Sequence, residues 1–335
     1  RLLLLPRREN SMVNHMPRVH TAGLALWIVF LYVFPMTARA QIETASHQNF
    51  GKQVLTLREK QSGRRVHLVG TMHYNPASAL KAQQVVEKLA DSNKLSSVVI
   101  EMCPKRFTSM EKNQPRGSSR RRLLDNEMQV AADAARDRQI EIVLGDQCIG
   151  NITENAGNML KNSLSDLITP TKGWPAIARD FRDFLRRIRA NSDAPTIKVD
   201  DIADPLFIMG TPVSLLRYPL ALFLRQPLQV LGLLLAVELL DVGVPVSTAM
   251  SLEQSNSIPI ALAAVNVLAL VANVIFTVVL ARIILVVMLK ERDEVLAKAI
   301  QEACNKLPST DDSEVVAILG MAHCNGVARL LAEEG

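Results

Sequence analysis

Two histidines of the chain stand in the same short setting, Gly70-Thr71-Met72-His73 and Gly320-Met321-Ala322-His323, each directly after a run of apolar, mostly β-branched residues. Glu101 closes a further run of that kind, Ser97-Val98-Val99-Ile100, and Asp146 follows another, Ile140-Glu141-Ile142-Val143-Leu144. Imidazoles combined with carboxylates form a ligand set for Zn, Mn, Co or Fe, and such an ion lowers the pKa of a bound water toward neutrality. His73, His323, Glu101 and Asp146 are therefore the candidate metal ligands. A carboxylate left unligated could take the water's proton, so Glu101 is read as ligand or general base. A single histidine after a strand is ordinarily a structural group; two copies with two carboxylates in comparable places argue for a shared site.

Arg106, five residues after Glu101, offers a planar fork for a substrate carboxylate or a developing oxyanion, with a surface ion pair as the plainer alternative. Arg292 falls at a predicted helix start, where a cation is disfavoured, so it either pairs with an acid or anchors at a membrane interface. With Glu101, these two arginines are the candidate catalytic groups. Glu127 suits the first turn of a helix and needs no further role. Cys103, Cys148 and Cys324 lie beside Glu101, Asp146 and His323, a placement that small residues at strand ends also explain. No G-x-S-x-G elbow, Walker loop, H-E-x-x-H or dinucleotide fingerprint is present. A glycan on the sequon Asn151-Ile152-Thr153 would crowd Asp146.

The elements that must position these residues are legible as an alternation. Apolar runs at 66–69, 97–100, 140–144 and 315–319 alternate with helical patterns at 77–90, 126–138, 291–307 and 326–333, which predicts an α/β fold with a mainly parallel sheet flanked by helices. In such a sheet the strand carboxyl ends open on one edge, where ligands bind. Gly70 and Gly320 are expected to supply backbone angles closed to other residues. The segment 174–189 places Ile177, Phe181, Phe184 and Ile188 on one face and five arginines elsewhere, an amphipathic helix for the sheet or a membrane surface. The basic stretch 116–122 reads as a solvated loop.

With 335 residues, 48% of them apolar, 21% charged and 4% aromatic, the chain has enough apolar material for a large core and is not bulk disordered. A net charge of +5 makes no nucleic-acid stripe, and four cysteines without a C-x-x-C pair argue against a disulfide scaffold or zinc knuckle. The apolar surplus is concentrated. Read from Met16, a short basic region, an apolar run and Thr37-Ala38-Arg39-Ala40 predict a signal peptide or N-terminal anchor over 1–40. Segments 220–246 and 258–289 are each long enough to cross a bilayer, separated by a polar stretch at 252–257, and predict two transmembrane helices within 211–290. Glu238, Asp241 and Arg282 are the polar residues inside them, with Arg282 expected to snorkel toward Lys290. A two-crossing insertion puts 41–210 and 291–335 on one side, as two parts of one α/β domain. The leader points to a lumen and the clustered basic residues to the opposite side, so the compartment stays open: a multi-pass membrane of the secretory pathway, or of a plastid or mitochondrion.

Val-Gly-Thr-Met-His at 69–73, Val-Val-Ile-Glu-Met-Cys-Pro-Lys-Arg at 98–106, Ile-Val-Leu-Gly-Asp at 142–146, Glu-Arg-Asp at 291–293 and Leu-Gly-Met-Ala-His at 319–323 resemble, in order, the motifs of the TraB/PrgY family. That family belongs with the GumN and Tiki proteins and is similar in fold to the erythromycin-esterase and ChaN-like group. Tiki proteins are membrane-associated peptidases dependent on a divalent metal, so the resemblance implies such an activity (with Mn, Co or Zn), with His73, Glu101 and His323 required and Arg106, Asp146, Arg292 and Asp293 as further family positions; other members are peptide-pheromone shutdown proteins or organelle-membrane proteins without settled catalysis. Gln147 departs from the pattern, since many members carry Arg there. The expected function is thus a membrane-anchored metal-dependent hydrolase acting on a peptide or protein; the alternative is a non-catalytic peptide-binding or membrane-organising protein.

Overall fold

The computed structural model describes residues 50–189, 195–228, 230–232, 260–306 and 313–332. The expected leader, Glu238, Asp241 and the polar stretch 252–257 lie outside the described residues.

All four apolar runs become strands: β2 (Arg65–Thr71), β3 (Leu95–Ile100), β4 (Glu141–Leu144) and β5 (Glu314–Gly320). A further strand, β1 (Val54–Arg58), pairs antiparallel with β2, giving a five-stranded sheet of order β1-β2-β5-β3-β4 in which the other pairings are parallel. The last strand is therefore central. Its alternation shows why: Val315, Ala317 and Leu319 face one layer and Val316 and Ile318 the other, all fully buried, as a strand covered on both faces requires.

On one face lie α1 (Pro76–Asp91) and α4 (Glu127–Asp137), which bury Val85, Val86, Leu89, Met128, Ala131 and Ala135. Both begin on asparagine caps: Asn75 accepts from the Ala77 N–H at 2.9 Å, with Pro76 in the first turn, and Asn126 accepts from Gln129 N–H at 3.0 Å. On the other face lie α10 (Glu291–Asn305) and α11 (Met321–Ala332), burying Leu296, Ile300, Val327 and Leu331. The chain is a mixed α/β fold with a mostly parallel sheet between helical layers. Between β3 and α4 come α2 (Pro104–Asn113) and α3 (Ser119–Leu123).

The stretch 116–122 is not a free loop. Arg121 is buried, bonded to Asp125 at 2.9 Å and Asp133 at 2.8 Å, and Arg116 pairs with Asp137 at 2.6 Å.

After β4 come α5 (Ile149–Ile168), α6 (Gly173–Arg189), the single turn α7 (Val199–Ile202) and α8 (Pro205–Arg225). Further on, α9 (Ile260–Ile283) passes through a π-helical segment, Ile284–Lys290, into α10 without a break. Among the described residues, two helical stretches are long and apolar enough to cross a membrane, Pro205–Leu224 and Leu270–Asn305. Apolar side chains of Pro205–Leu224 and of the α9 part of the second stretch are largely uncovered, with Met209 at 75%, Leu216 at 74% and Leu270 at 64% exposure, whereas the end of the second stretch, in α10, packs on the sheet. The expected first crossing at 220–246 lies mostly outside the described residues, and its beginning belongs to α8. Arg282 does not snorkel: it is buried against the α5–α6 hairpin, bonded to Asp166 at 2.6 Å and Asp180 at 2.7 Å. Two carboxylates within reach neutralise it locally, which leaves no reason to extend toward Lys290.

Candidate functional site

Parallel pairing aligns the strand ends. Thr71 of β2 stands beside Gly320 of β5, Ile100 of β3 beside Ile318, and Ile100 beside Leu144 of β4. The residues that follow these positions, His73, Glu101, Asp146 and His323, therefore gather at one end of the sheet. The two G-x-x-H copies are not equivalent: Gly70 pairs with Leu319, one place out of step. His73 sits in the turn before α1, whereas α11 starts at Met321, earlier than the expected 326, and carries His323 in its first turn.

Neither glycine serves a left-handed turn. A Cβ on Gly70 would lie 2.5 Å from Ile197 Cδ1 and 3.2 Å from Cys324 Sγ, and one on Gly320 would lie 3.1 Å from Glu101 Oε2. Their contribution is space. At Gly320 it lets the backbone N–H donate to Glu101 Oε2 at 2.5 Å.

Glu101, 3% exposed, accepts at Oε1 from Arg292 Nη2, and that same oxygen is 3.6 Å from His323 Nε2. Burial would raise its pKa, but His323, Arg292, His73 and the Gly320 N–H together hold it down at about 2. Glu101 is thus a fixed anion. Arg292 also donates to Asp146 through Nε (3.0 Å) and Nη2 (2.9 Å), while Arg106 Nη1 donates to Asp146 Oδ2 at 2.9 Å. Of the two settings open to Arg292, the structure has the acidic pair. The premise of an exposed helix start also falls away, because α10 continues from the π-helical segment and its first turn is not a free N-terminus.

Asp146 stands in a different setting from the one expected of a ligand. Its oxygens face the two guanidinium groups and the Gln147 N–H at 2.8 Å, so as placed it anchors arginines. Arg106 is the more open of the two arginines, with 28% of its side chain exposed against 11% for Arg292.

Each histidine is gripped through Nδ1 by a buried carboxylate: His323 by Asp293 Oδ1 at 2.7 Å and His73 by Glu127 Oε1 at 2.5 Å. Glu127 is fully buried and also accepts from Tyr74 N–H at 3.2 Å, so it is more than a first-turn charge. Burial works to lower the His73 pKa, but the Glu127 carboxylate, with help from Glu101, outweighs it and raises the value to about 9. Further support for His73 comes from α8, where Ser214 Oγ donates to the His73 carbonyl and Tyr218 stacks on the ring at 6.4 Å between centroids. Among the residues that reasoning from sequence passed over or left without a role are Glu127, Ser214 and Tyr218; Asp293 entered through the resemblance alone. A signal existed for the two acids. Extending the buried stripe of α4 back from Ala131 reaches Glu127, and that of α10 back from Ile300 and Leu296 reaches Asp293, which puts a carboxylate on an apolar face.

The donor types suit a divalent cation. A neutral imidazole that donates Nδ1–H to a carboxylate carries its lone pair on Nε2, the arrangement that outer carboxylates impose on metal-bound histidines. As the side chains stand, no three His, Cys, Asp or Glu residues among those described are close enough to enclose an ion; the pair that stands ready is His323 Nε2 with Glu101 Oε1. Comparison with protein-family models, with curated proteins and with solved structures finds no match for the chain.

Proposed function

We propose that the chain is a membrane-anchored, divalent-metal-dependent hydrolase of the peptidase type, similar to the TraB/PrgY proteins. The observation that carries this reading is the repeated carboxylate–imidazole pair, Glu127–His73 and Asp293–His323, which fixes both rings through Nδ1 at the strand ends beside Glu101. His323 Nε2 lies 3.6 Å from Glu101 Oε1, and Nε2 of His73 offers a lone pair once that ring loses its proton as pH rises through about 9. His73, His323 and Glu101 would hold the ion, which when bound supplies a Lewis acid and an activated water. Glu101 is assigned to the ligand role, because a carboxylate held at about 2 is a weak base near neutrality. Arg292, buried between Glu101 and Asp146, positions both. Arg106 keeps donors beyond the one given to Asp146 and is the group for a substrate carboxylate or developing oxyanion. The uncovered apolar parts of α8 and α9 are read as belonging to a multi-pass anchor in the membrane of the secretory pathway, a plastid or a mitochondrion.

A second reading, a non-catalytic peptide-binding or membrane-organising protein, draws on the closure of the network, since both Glu101 oxygens already have donors. The two separate in one experiment. Full-length protein purified in detergent without chelator is assayed for bound metal and for cleavage of a peptide library with Mn, Co or Zn added. Metal with turnover supports the hydrolase; neither metal nor cleavage supports the binding protein.

A further inference from the structure

Beyond the proposed site, the turns that deliver Glu101 and Asp146 carry two thiols whose placement the hydrolase reading does not use. Cys103 precedes α2 and Cys148 precedes α5, so each occupies a helix N-cap with extended backbone angles, φ −95°, ψ 160° and φ −71°, ψ 145°. N-caps favour Ser, Thr, Asp or Asn because the side chain must accept a backbone N–H. Neither cysteine does so for its own helix. Instead the two sulfurs face each other at 2.6 Å, although 45 positions apart in sequence.

Cys103 is 1% exposed, while Cys148 is only partly buried and so open to a reagent from solvent. The other thiols, Cys304 and Cys324, are fully buried in the core layer formed with α10 and α11. The backbone is already joined at this point, where Asp146 N–H donates to the Met102 carbonyl at 3.3 Å, so closing the sulfurs asks little of the chain.

We propose that Cys103 and Cys148 form a reversible disulfide that ties the turn after β3 to the turn after β4. A low-molecular-weight disulfide is the oxidant. The Cys148 thiolate attacks one of its sulfurs and releases a first small thiol, leaving a mixed disulfide. The Cys103 thiolate then attacks the Cys148 sulfur and releases the second small thiol. Two thiol protons leave and two electrons pass to the reagent, so one disulfide is exchanged for another.

The test uses the full chain in detergent, incubated folded with oxidised glutathione, quenched by alkylation, then denatured and mapped by mass spectrometry. The expected product is a peptide linked through Cys103 and Cys148 with the loss of two hydrogens, reversed by excess reduced glutathione, with Cys304 and Cys324 still alkylated. Cys103→Ser should convert this product to a persistent glutathione adduct on Cys148. Cys148→Ser should give neither a link nor an adduct on the shielded Cys103, which keeps the test decisive if the first variant folds poorly. A stable adduct on Cys148 of the unaltered protein with Cys103 free, no reaction at Cys148, or a link to Cys304 or Cys324 would overturn the proposal.

Discussion

Replacing Arg292 by Met tests whether the guanidinium compensates two buried anions. Met keeps much of the side-chain bulk but removes three hydrogen bonds, two to Asp146 and one to Glu101. Taking one partner from a buried ionic network costs about 3–5 kcal/mol because the remaining charge is left desolvated. The structure sets the lower end of that range. Asp146 retains Arg106 and the Gln147 N–H, and Glu101 retains the Gly320 N–H and His323. The pKa gives a second bound: holding Glu101 at about 2 instead of 4.5 corresponds to roughly 3 kcal/mol, of which Arg292 supplies only part. A loss near 3 kcal/mol follows, or a fall in Tm of roughly 6–12 °C for a domain of this size, read by circular dichroism of the full chain in detergent. Since Glu101 has a depressed pKa, its contribution is complete above about 4.5 and is lost as pH falls through about 2; in the variant this loss should begin at higher pH. Combining Arg292→Met with Glu101→Gln and Asp146→Asn removes the stranded charges and should restore much of the stability. A single variant within about 0.5 kcal/mol of the parent, or a triple variant worse than the single, would refute the charge-compensation argument.

Glu127→Gln should release the His73 proton at lower pH, moving its titration by NMR from about 9 back toward 6.5; an unmoved titration would mean that Glu127 is not the cause. Because a ligating imidazole must be neutral, metal uptake by the unaltered protein should strengthen as pH rises toward 9 and release a proton, measured calorimetrically in buffers of different ionisation enthalpy. Gly326→Ala would ordinarily favour a helix by about 1 kcal/mol, but its Cβ would come 2.0 Å from Asp293 Oδ2, so stability should instead fall by about 1–3 kcal/mol and His323 should lose its support. Since β2 and β5 are paired neighbours, residues 65–71 and 314–320 occupy one compartment and any membrane crossings between them are even in number; tags inserted near residue 60 and after Gly335 should be digested together or protected together in sealed vesicles.

The strands were readable because doubly buried parallel strands are continuous apolar runs, and the helices at 77–90 and 126–138 because their caps and apolar spacing agree. β1 was missed: Val54–Arg58 is a short edge strand whose alternating pattern is half solvated and weak. The helix Ile149–Ile168 was also missed, although Ile152, Ala156, Met159 and Leu167 recur at helical spacing, because it follows a strand end with no side-chain cap and much of its apolar surface, Leu160, Leu164 and Ile168 included, stays exposed. The residues that gather at the site followed from one rule, that parallel strands end on one edge. What they do there did not follow. Whether Asp146 binds an ion or two arginines, and whether Arg292 meets acids or lipid, depends on side chains brought together from 146 and 191 positions away, which no local pattern encodes.

Whether His73, His323 and Glu101 hold one divalent cation is decided by titrating the full-length protein with Co(II) at pH 9 and following its visible absorption, with His73→Ala and His323→Ala in parallel. Saturation at one equivalent is expected in the parent, with the band lost in both variants while circular dichroism stays unchanged. No band in the parent, or the same band in either variant, would contradict the shared site.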